Sequence, residues 1–112
     1  MESTRQKKIS RLLQKEMSEI LQRELKEITL NTLVTVTNAR VSPDLSLVKF
    51  YLSVFPTEKS KDVLAAFAEN DSKIRFTLGK RVGKQLRIIP ETAFFLDDSL
   101  DYLENIDRLL KE

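Results

Sequence analysis

The chain has 112 residues, of which 41% are hydrophobic and 32% charged, and its formal net charge is only +2. This composition is typical of one soluble globular domain with a modest core. The sequence contains no cysteine and no histidine, which fits a reducing compartment and excludes thiol and imidazole catalysis along with most metal chemistry.

The first residues, M-E-S-T-R-Q-K-K, lack the apolar stretch of a secretory signal. No apolar run approaches the ~20 residues that are needed to span a bilayer. We therefore expect a cytoplasmic protein without a cofactor, a metal or a membrane partner.

Residues 5–28 have the period of a long amphipathic helix, with Ser3 or Thr4 as its cap. The face opposite its apolar stripe carries Lys8, Arg11 and Lys15. They form a candidate RNA surface, which is second to the cationic segment described below. An ordinary solvated face is the favoured alternative, because Glu19 and Gln22 interleave with these cations. The apolar stripe comprises Ile9, Leu12, Leu13, Met17, Ile20, Leu21 and Leu25.

Two strands in a hairpin should follow this helix. Residues 33–41 are rich in β-branched types, residues 42–44 (S-P-D) are typical of a turn, and residues 45–55 alternate between apolar and polar types. Tyr51, beside Lys49 on the polar face, is a candidate base-stacking platform, although an ordinary exposed strand aromatic is the favoured interpretation.

Pro56 should end the second strand, and Thr57 should cap a helix that runs to about Glu69. The next three residues, Asn70, Asp71 and Ser72, prefer caps and turns to helix interiors, so they predict a break. A new helix should start at about Ser72.

The segment from Lys73 to Pro90 carries six basic side chains and no acidic one. If it is helical, one side holds Ile74, Leu78, Val82 and Leu86, and the opposite side holds Lys73, Lys80, Lys84 and Arg87 beside Phe76. A uniformly cationic strip indicates a polyanionic partner, whereas a plain solvated face interleaves both signs. Gly79 and Gly83 lie inside this pattern, and we expect them to allow a close approach between helix and sheet; a phosphate-binding loop is the weaker alternative.

Residues 88–96 should form a third strand, and Asp97, Asp98 and Ser99 should cap a short terminal helix. The last 22 residues contain seven acidic and two basic side chains. A metal site at Asp97, Asp98 and Asp101 has little support, because the calcium-loop spacing is missing. The acidic end could dock on the domain, keep it soluble or compete with RNA for the cationic strip.

The resulting order, α-β-β-α-α-β plus a terminal helix, predicts a two-layer α+β domain over residues 1–98 with an acidic helical extension over residues 99–112. This order and four local strings resemble the ribosome-binding factor A family. The strings are L-Q-K-E-M-S-E-I-L-Q-R-E-L-K (13–26), V-S-P-D-L-S-L-V-K-F-Y-L-S (41–53), I-R-F-T-L-G-K-R-V (74–82) and L-R-I-I-P-E-T-A-F-F-L-D-D-S (86–99).

The resemblance implies a type II KH-like fold in a bacterial, non-enzymatic assembly factor. Members of this family bind the small (30S) ribosomal subunit, assist late maturation of 16S rRNA including its 5′ end, support ribosome production in the cold, and leave the particle with help from an assembly GTPase. The family has a helix–kink–helix with an Ala-x-Gly kink where KH domains have a G-x-x-G loop. Here Asn70, Asp71 and Ser72 occupy the kink, and Ser72 replaces the usual glycine.

We therefore expect a monomer that binds structured RNA by charge and shape. Phosphates would be neutralised by Lys73, Lys80, Arg81, Lys84 and Arg87, while Arg75 helps at the edge or serves the core. Phe76 would stack on an unpaired base, or it is simply a surface aromatic. The alternatives are a protein-interaction module whose basic helix docks an acidic partner and, with less support, a small enzyme built on Glu91, Asp97 and Asp98.

Overall fold

The computed structural model describes residues 3–97, and the predicted terminal helix and the boundary at residue 98 lie outside them. The predicted order α-β-β-α-α-β is confirmed, and Thr57–Lys59 form a short 3-10 turn before the second helix. No helix of the described part is long and apolar enough to cross a membrane. The elements are α1 (Thr4–Arg23), β1 (Leu33–Val41), β2 (Leu47–Phe55), α2 (Ser60–Glu69), α3 (Asp71–Val82) and β3 (Glu91–Leu96).

The three strands form one mixed sheet in the order β1-β2-β3. β1 and β2 pair antiparallel as the predicted hairpin, and β3 joins β2 in parallel. All three helices contribute buried residues to the core. From α3 these are Ile74, Leu78 and Val82, as the helical period predicted. The result is the expected two-layer α+β domain, in which helices cover one face of the sheet.

Polar side chains of α1 bond the backbone of β1, which is an edge strand. The Gln6 amide donates to the Val41 carbonyl at 3.1 Å, and the Ser10 hydroxyl accepts from the Val41 N–H at 3.2 Å. Gln14 donates to the Val36 carbonyl at 3.1 Å. Buried backbone groups need such partners, which explains why Gln6 and Ser10 are buried within an otherwise apolar stripe.

α1 starts at its predicted cap but ends earlier than predicted. Ser3 accepts from the Gln6 N–H and the Gln6 side chain accepts from the Ser3 N–H, which is a capping box. The helix stops at Arg23 instead of continuing to residue 28, and a series of turns follows. Leu30 and Asn31 have φ values of 55° and 59° there, so the chain can reverse into β1.

The break between α2 and α3 takes a single residue. Asn70 has φ −108° and ψ 20°, and its side-chain amide donates to the Ala66 carbonyl at 2.8 Å at the end of α2. Asp71 and Ser72, which were assigned to the kink as well, already belong to the first turn of α3. Ser72 is not among the positive-φ residues, so its backbone needs no conformation that glycine alone adopts easily.

α3 is shorter than the predicted helix, which was extended towards Pro90. It ends at Val82, and the N–H groups of Gln85 and Leu86 both donate to the Val82 carbonyl at 2.9 Å. Residues 84–89, which we call the return segment, then lead back along α3 to β3. A Cβ on Gly79 would lie 3.4 Å from Ile89 Cγ1, which is an ordinary van der Waals distance. Gly79 therefore faces the return segment and not the sheet, and the expected close helix-to-sheet approach does not explain it.

Candidate nucleic-acid interface

An open groove lies between the outer side of α3 and the return segment, with a volume of about 690 Å³. Phe76 and Ile88 present large apolar surfaces to it, with 65% and 76% of their surfaces exposed. The Lys80 ammonium lies 4.8 Å from the centroid of the Phe76 ring, which is cation–π geometry. The groove is lined by Asp71, Ser72, Arg75, Phe76, Gly79, Lys80, Ile88 and Ile89.

Two side-chain hydrogen bonds attach the elements around this groove to α3. Arg75 donates to the Ile89 carbonyl at 2.8 Å, and the Thr92 hydroxyl donates to the Asp71 carboxylate at 2.8 Å. Arg75 therefore holds the return segment in place. Because it is exposed and a guanidinium carries five N–H donors, it keeps donors for a phosphate as well.

Arg81 lies on the other side of α3, towards α1, and its charge is already compensated. It forms ion pairs with Glu16 at 2.6 Å, with Glu24 at 3.2 Å and, at still closer range, with Glu19. The hydrogen bond to Glu16 raises the pKa of Arg81. The sequence placed Arg81 among the phosphate-binding residues, but the structure directs it to three carboxylates of the α1 region. An RNA phosphate would have to compete with all three.

Lys73 has a weaker partner. Its ammonium lies 2.8 Å from a Glu27 carboxylate oxygen, and this hydrogen bond lowers the pKa of Glu27. Both side chains are more than half exposed, at 54% and 61%. The attraction between the charges of an exposed ion pair is weak in water, so Lys73 remains available to a phosphate.

Three further cations form no salt bridge within the described part of the chain: Lys80, Lys84 and Arg87, which we call the open cations. Lys84 and Arg87 lie beyond the end of α3, on the return segment, and not on the helix face predicted for them. Arg87 lines a separate cavity of about 350 Å³ together with Arg5 and Asp44. The predicted strip is therefore divided over two sides of the return segment.

Sequence reasoning missed two residues of this region. Ile88 was predicted to begin the third strand, whereas it precedes that strand and is the most exposed large hydrophobic residue of the described chain. Arg5 reaches the cavity of Arg87 from the start of α1. No local pattern links positions 5 and 87, because only the tertiary fold brings them together.

The second candidate surface remains separate from the groove. Lys8, Arg11 and Lys15 are all exposed on α1, and none of them lines the groove. Glu19, which interleaves with them, bonds Arg81, and so does Glu16, the residue after Lys15.

Glu91 and Asp97 do not form the acidic cluster that the enzyme alternative requires. Glu91 begins β3 and Asp97 follows its end, which puts them roughly 20 Å apart along the strand. The Asp97 carboxylate accepts from the Thr37 hydroxyl at 2.5 Å. Asp98 and Asp101 lie outside the described residues, and within residues 3–97 there is no group of three metal-ligating side chains.

Comparisons with known proteins agree on one family. Residues 5–110 match the family model described as ribosome-binding factor A. The chain is 45% identical over 111 residues to ribosome-binding factor A of Flavobacterium johnsoniae, with 98% of this chain and 85% of that protein covered. It is 41% identical over 112 residues to the protein of the same name from Cytophaga hutchinsonii, with 100% and 84% covered.

Solved structures share the fold. The crystal structure of ribosome-binding factor A from Thermus thermophilus is similar with a TM-score of 0.68 and 23% identity, over 81% of this chain and 94% of that chain. A homology model of the Thermus thermophilus factor, fitted into the cryo-EM map of its 30S complex, is similar with a TM-score of 0.60 and 24% identity, over 77% of this chain and 88% of that chain. Both matches support the KH-like α+β fold.

Proposed function

This chain belongs to the ribosome-binding factor A family, and from this premise we propose that it binds the immature small ribosomal subunit and assists late 16S rRNA maturation, including 5′-end processing, without catalysing a reaction. One observation in the structure supports a direct role in RNA binding. The groove on α3 places an exposed aromatic ring beside cations that no described carboxylate neutralises. The protein acts as a monomer in the bacterial cytoplasm, contributes to ribosome production in the cold, and is released with help from an assembly GTPase.

Phosphate contacts supply most of the affinity in this proposal. The open cations and Lys73 neutralise phosphates on both sides of the return segment, which fixes the orientation of the domain on folded RNA. Arg81 is left out of this set, because its three carboxylate partners already compensate its charge.

The groove supplies selectivity for a particular RNA shape. Phe76 and Ile88 border it, and together they offer an apolar slot for an unpaired base, while Lys80 is available for the phosphate next to that base. Stacking of a base on an aromatic ring depends little on which base it is. The site therefore recognises a base that stands out of a folded RNA, and the sequence of that RNA matters less.

Charge reversal at Lys80 and Lys84 tests this assignment. Four phosphate contacts predict a log–log salt slope of about −3.6 on a duplex. The double variant K80E/K84E should lower the affinity for small subunits roughly 100-fold and reduce the slope by about 2, because each lost phosphate contact removes about one unit. Co-sedimentation over a salt series measures both quantities.

The matched control is K59E/K61E, which changes the net charge equally at two exposed lysines of the 3-10 turn and α2. It should bind like the wild type. Equal losses in the two double variants would show a net-charge effect without a defined surface. Binding of K80E/K84E at the wild-type level would contradict the assignment. A complex that survives nuclease treatment would favour the acidic-protein partner instead.

A further inference from the structure

The helices of residues 3–97 leave one face of the sheet uncovered, and this open face carries large apolar side chains. Leu33 and Phe55 stand directly opposite each other in the hairpin register, with 63% and 69% of their surfaces exposed. Beyond the polar pair Thr35 and Ser53 on the same face, Tyr51 and Phe95 are cross-strand neighbours whose ring centroids lie 5.8 Å apart. Large exposed apolar side chains that are grouped on one face of a sheet are typical of an interaction surface.

The same face becomes cationic towards its other end. Arg40 and Lys49 are direct cross-strand neighbours, and both are exposed. Like charges in this position repel each other, and neither side chain forms a salt bridge within residues 3–97. An occupant that is apolar on one side and carries negative charge would complement the whole face.

The chain leaves the described structure beside this face. The Asp97 N–H donates to the Leu52 carbonyl at 2.7 Å, and its carboxylate accepts from the hydroxyl of Thr37 in β1. Because side chains alternate along a strand, Asp97 lies on the same face as Phe95. The described part of the chain therefore ends at the open face.

We propose that residues 98–112 pack on the open face as an amphipathic helix, so that the occupant of this surface is the chain's own acidic end. This inference is independent of the RNA-binding role. The segment contains five acidic and two basic residues, and at helical spacing its apolar residues share one stripe. That stripe consists of Leu100, Leu103, Ile106 and Leu110.

The strand register predicts where the segment meets the cations. Lys49 pairs with Ala93, four residues before Asp97, which is about 13 Å back along β3. A helix that runs back from Asp97 covers this distance in about nine residues. Asp107 therefore reaches the neighbourhood of Lys49 and Arg40.

Packing on the open face separates the acidic end from the RNA groove. Phe76 and Lys80 are exposed on the outer side of α3, while α3 buries its other side against the core, so the groove and the open face belong to opposite surfaces of the two-layer domain. The segment then protects apolar side chains from association with other molecules. It does not compete with RNA for the open cations.

Cross-linking in the full-length chain tests the proposal, because the natural sequence contains no cysteine. The variant K49C/D107C should react intramolecularly with a short bis-maleimide at least about tenfold faster than K80C/D107C, since docking raises the effective concentration of the two thiols only in the first pair. Both pairs place one thiol on an exposed lysine position, and circular dichroism of the uncoupled proteins checks the fold.

Equal rates in the two variants would overturn the proposal, and faster reaction of K80C/D107C would assign the acidic end to the RNA surface. In single K49C, truncation after Asp97 should increase the rate of thiol alkylation. If bound small subunits, and not residues 98–112, protect this thiol, then RNA occupies the open face and the proposal fails. None of these outcomes depends on the effect of K80E/K84E on subunit binding.

Discussion

The two sides of α3 differ, although the sequence gives both of them basic residues. On the side towards α1, Arg81 is held by three carboxylates. On the outer side, its neighbour Lys80 lies over Phe76 and has no carboxylate partner within the described chain. A run of positive charge in a sequence is therefore not yet a positive surface, because carboxylates far away in the chain can neutralise part of it.

Burial decides how strong each interaction is. The side chains of Arg81 and Glu16 are only 24% and 18% exposed, whereas Lys73 and Glu27 are mostly exposed. Water screens the exposed pair, so it contributes little, while the partly desolvated cluster depends on all its members being present. The inner side of α3 therefore stabilises the domain and the outer side is available for binding.

The largest effect is expected when the inner side loses its cation. R81M should lower the free energy of unfolding by about 2 kcal/mol, between the values for exposed and buried pairs, because three carboxylates, two of them partly buried, lose their common partner. The affinity of the folded variant for small subunits should stay within about twofold of the wild type, since Arg81 makes none of the proposed phosphate contacts. Urea denaturation and co-sedimentation measure the two quantities.

K80M is the matched control for this prediction, since it removes the adjacent charge from the outer side. Its unfolding free energy should change by no more than about 0.5 kcal/mol, as is usual at exposed positions. A stability loss in K80M as large as that in R81M would remove the difference between the two sides.

Phe76 offers a smaller effect that concerns binding alone. F76L keeps an apolar side chain but removes the flat ring, so it should cost about 1 kcal/mol of subunit affinity, or about fivefold, if a base stacks there. Stability should hardly change, because the side chain is 65% exposed. F55L provides a control with 69% exposure on the open face. Equal affinities of F76L and the wild type would exclude stacking on this ring.

Local patterns in the sequence predicted most of the fold. The β-branched run of residues 33–41 and the alternation of residues 45–55 predicted both strands of the hairpin, and the polar triplet after Glu69 located the break between α2 and α3. The end of α3 could not be predicted in the same way. Leu86 continues the apolar period beyond the helix and is indeed partly buried, but it packs on the core from the return segment.

The candidate site was harder to predict than the fold, because it depends on partners from other elements. The bonds of Arg81 to Glu16 and Glu19 connect positions more than 60 residues apart. The helical period places Lys80 opposite the apolar side, but nothing in the segment from 73 to 90 shows that carboxylates of the α1 region bond Arg81. The burial of Gln6 and Ser10 has a similar origin, since the backbone of β1 supplies their partners.

The smallest expected effect concerns Lys73. It has one exposed carboxylate partner, whereas Arg81 has three and Lys80 has none within the described chain. E27Q removes the carboxylate that bonds it and leaves the urea midpoint unchanged, because the pair is exposed to water. Subunit affinity should rise by about twofold at low salt, since one more cation is fully available to a phosphate, and the gain should vanish at high salt. Titration at two salt concentrations checks this.

E16Q is the contrasting variant, because it removes a carboxylate from the inner side of α3. It should lower stability without a gain in affinity, since Glu19 and Glu24 still hold Arg81. If E27Q instead weakened binding, Glu27 would be orienting Lys73 for its phosphate. The pair would then belong to the binding surface in spite of its exposure, and exposure alone would no longer separate the cations that bind from those that are compensated.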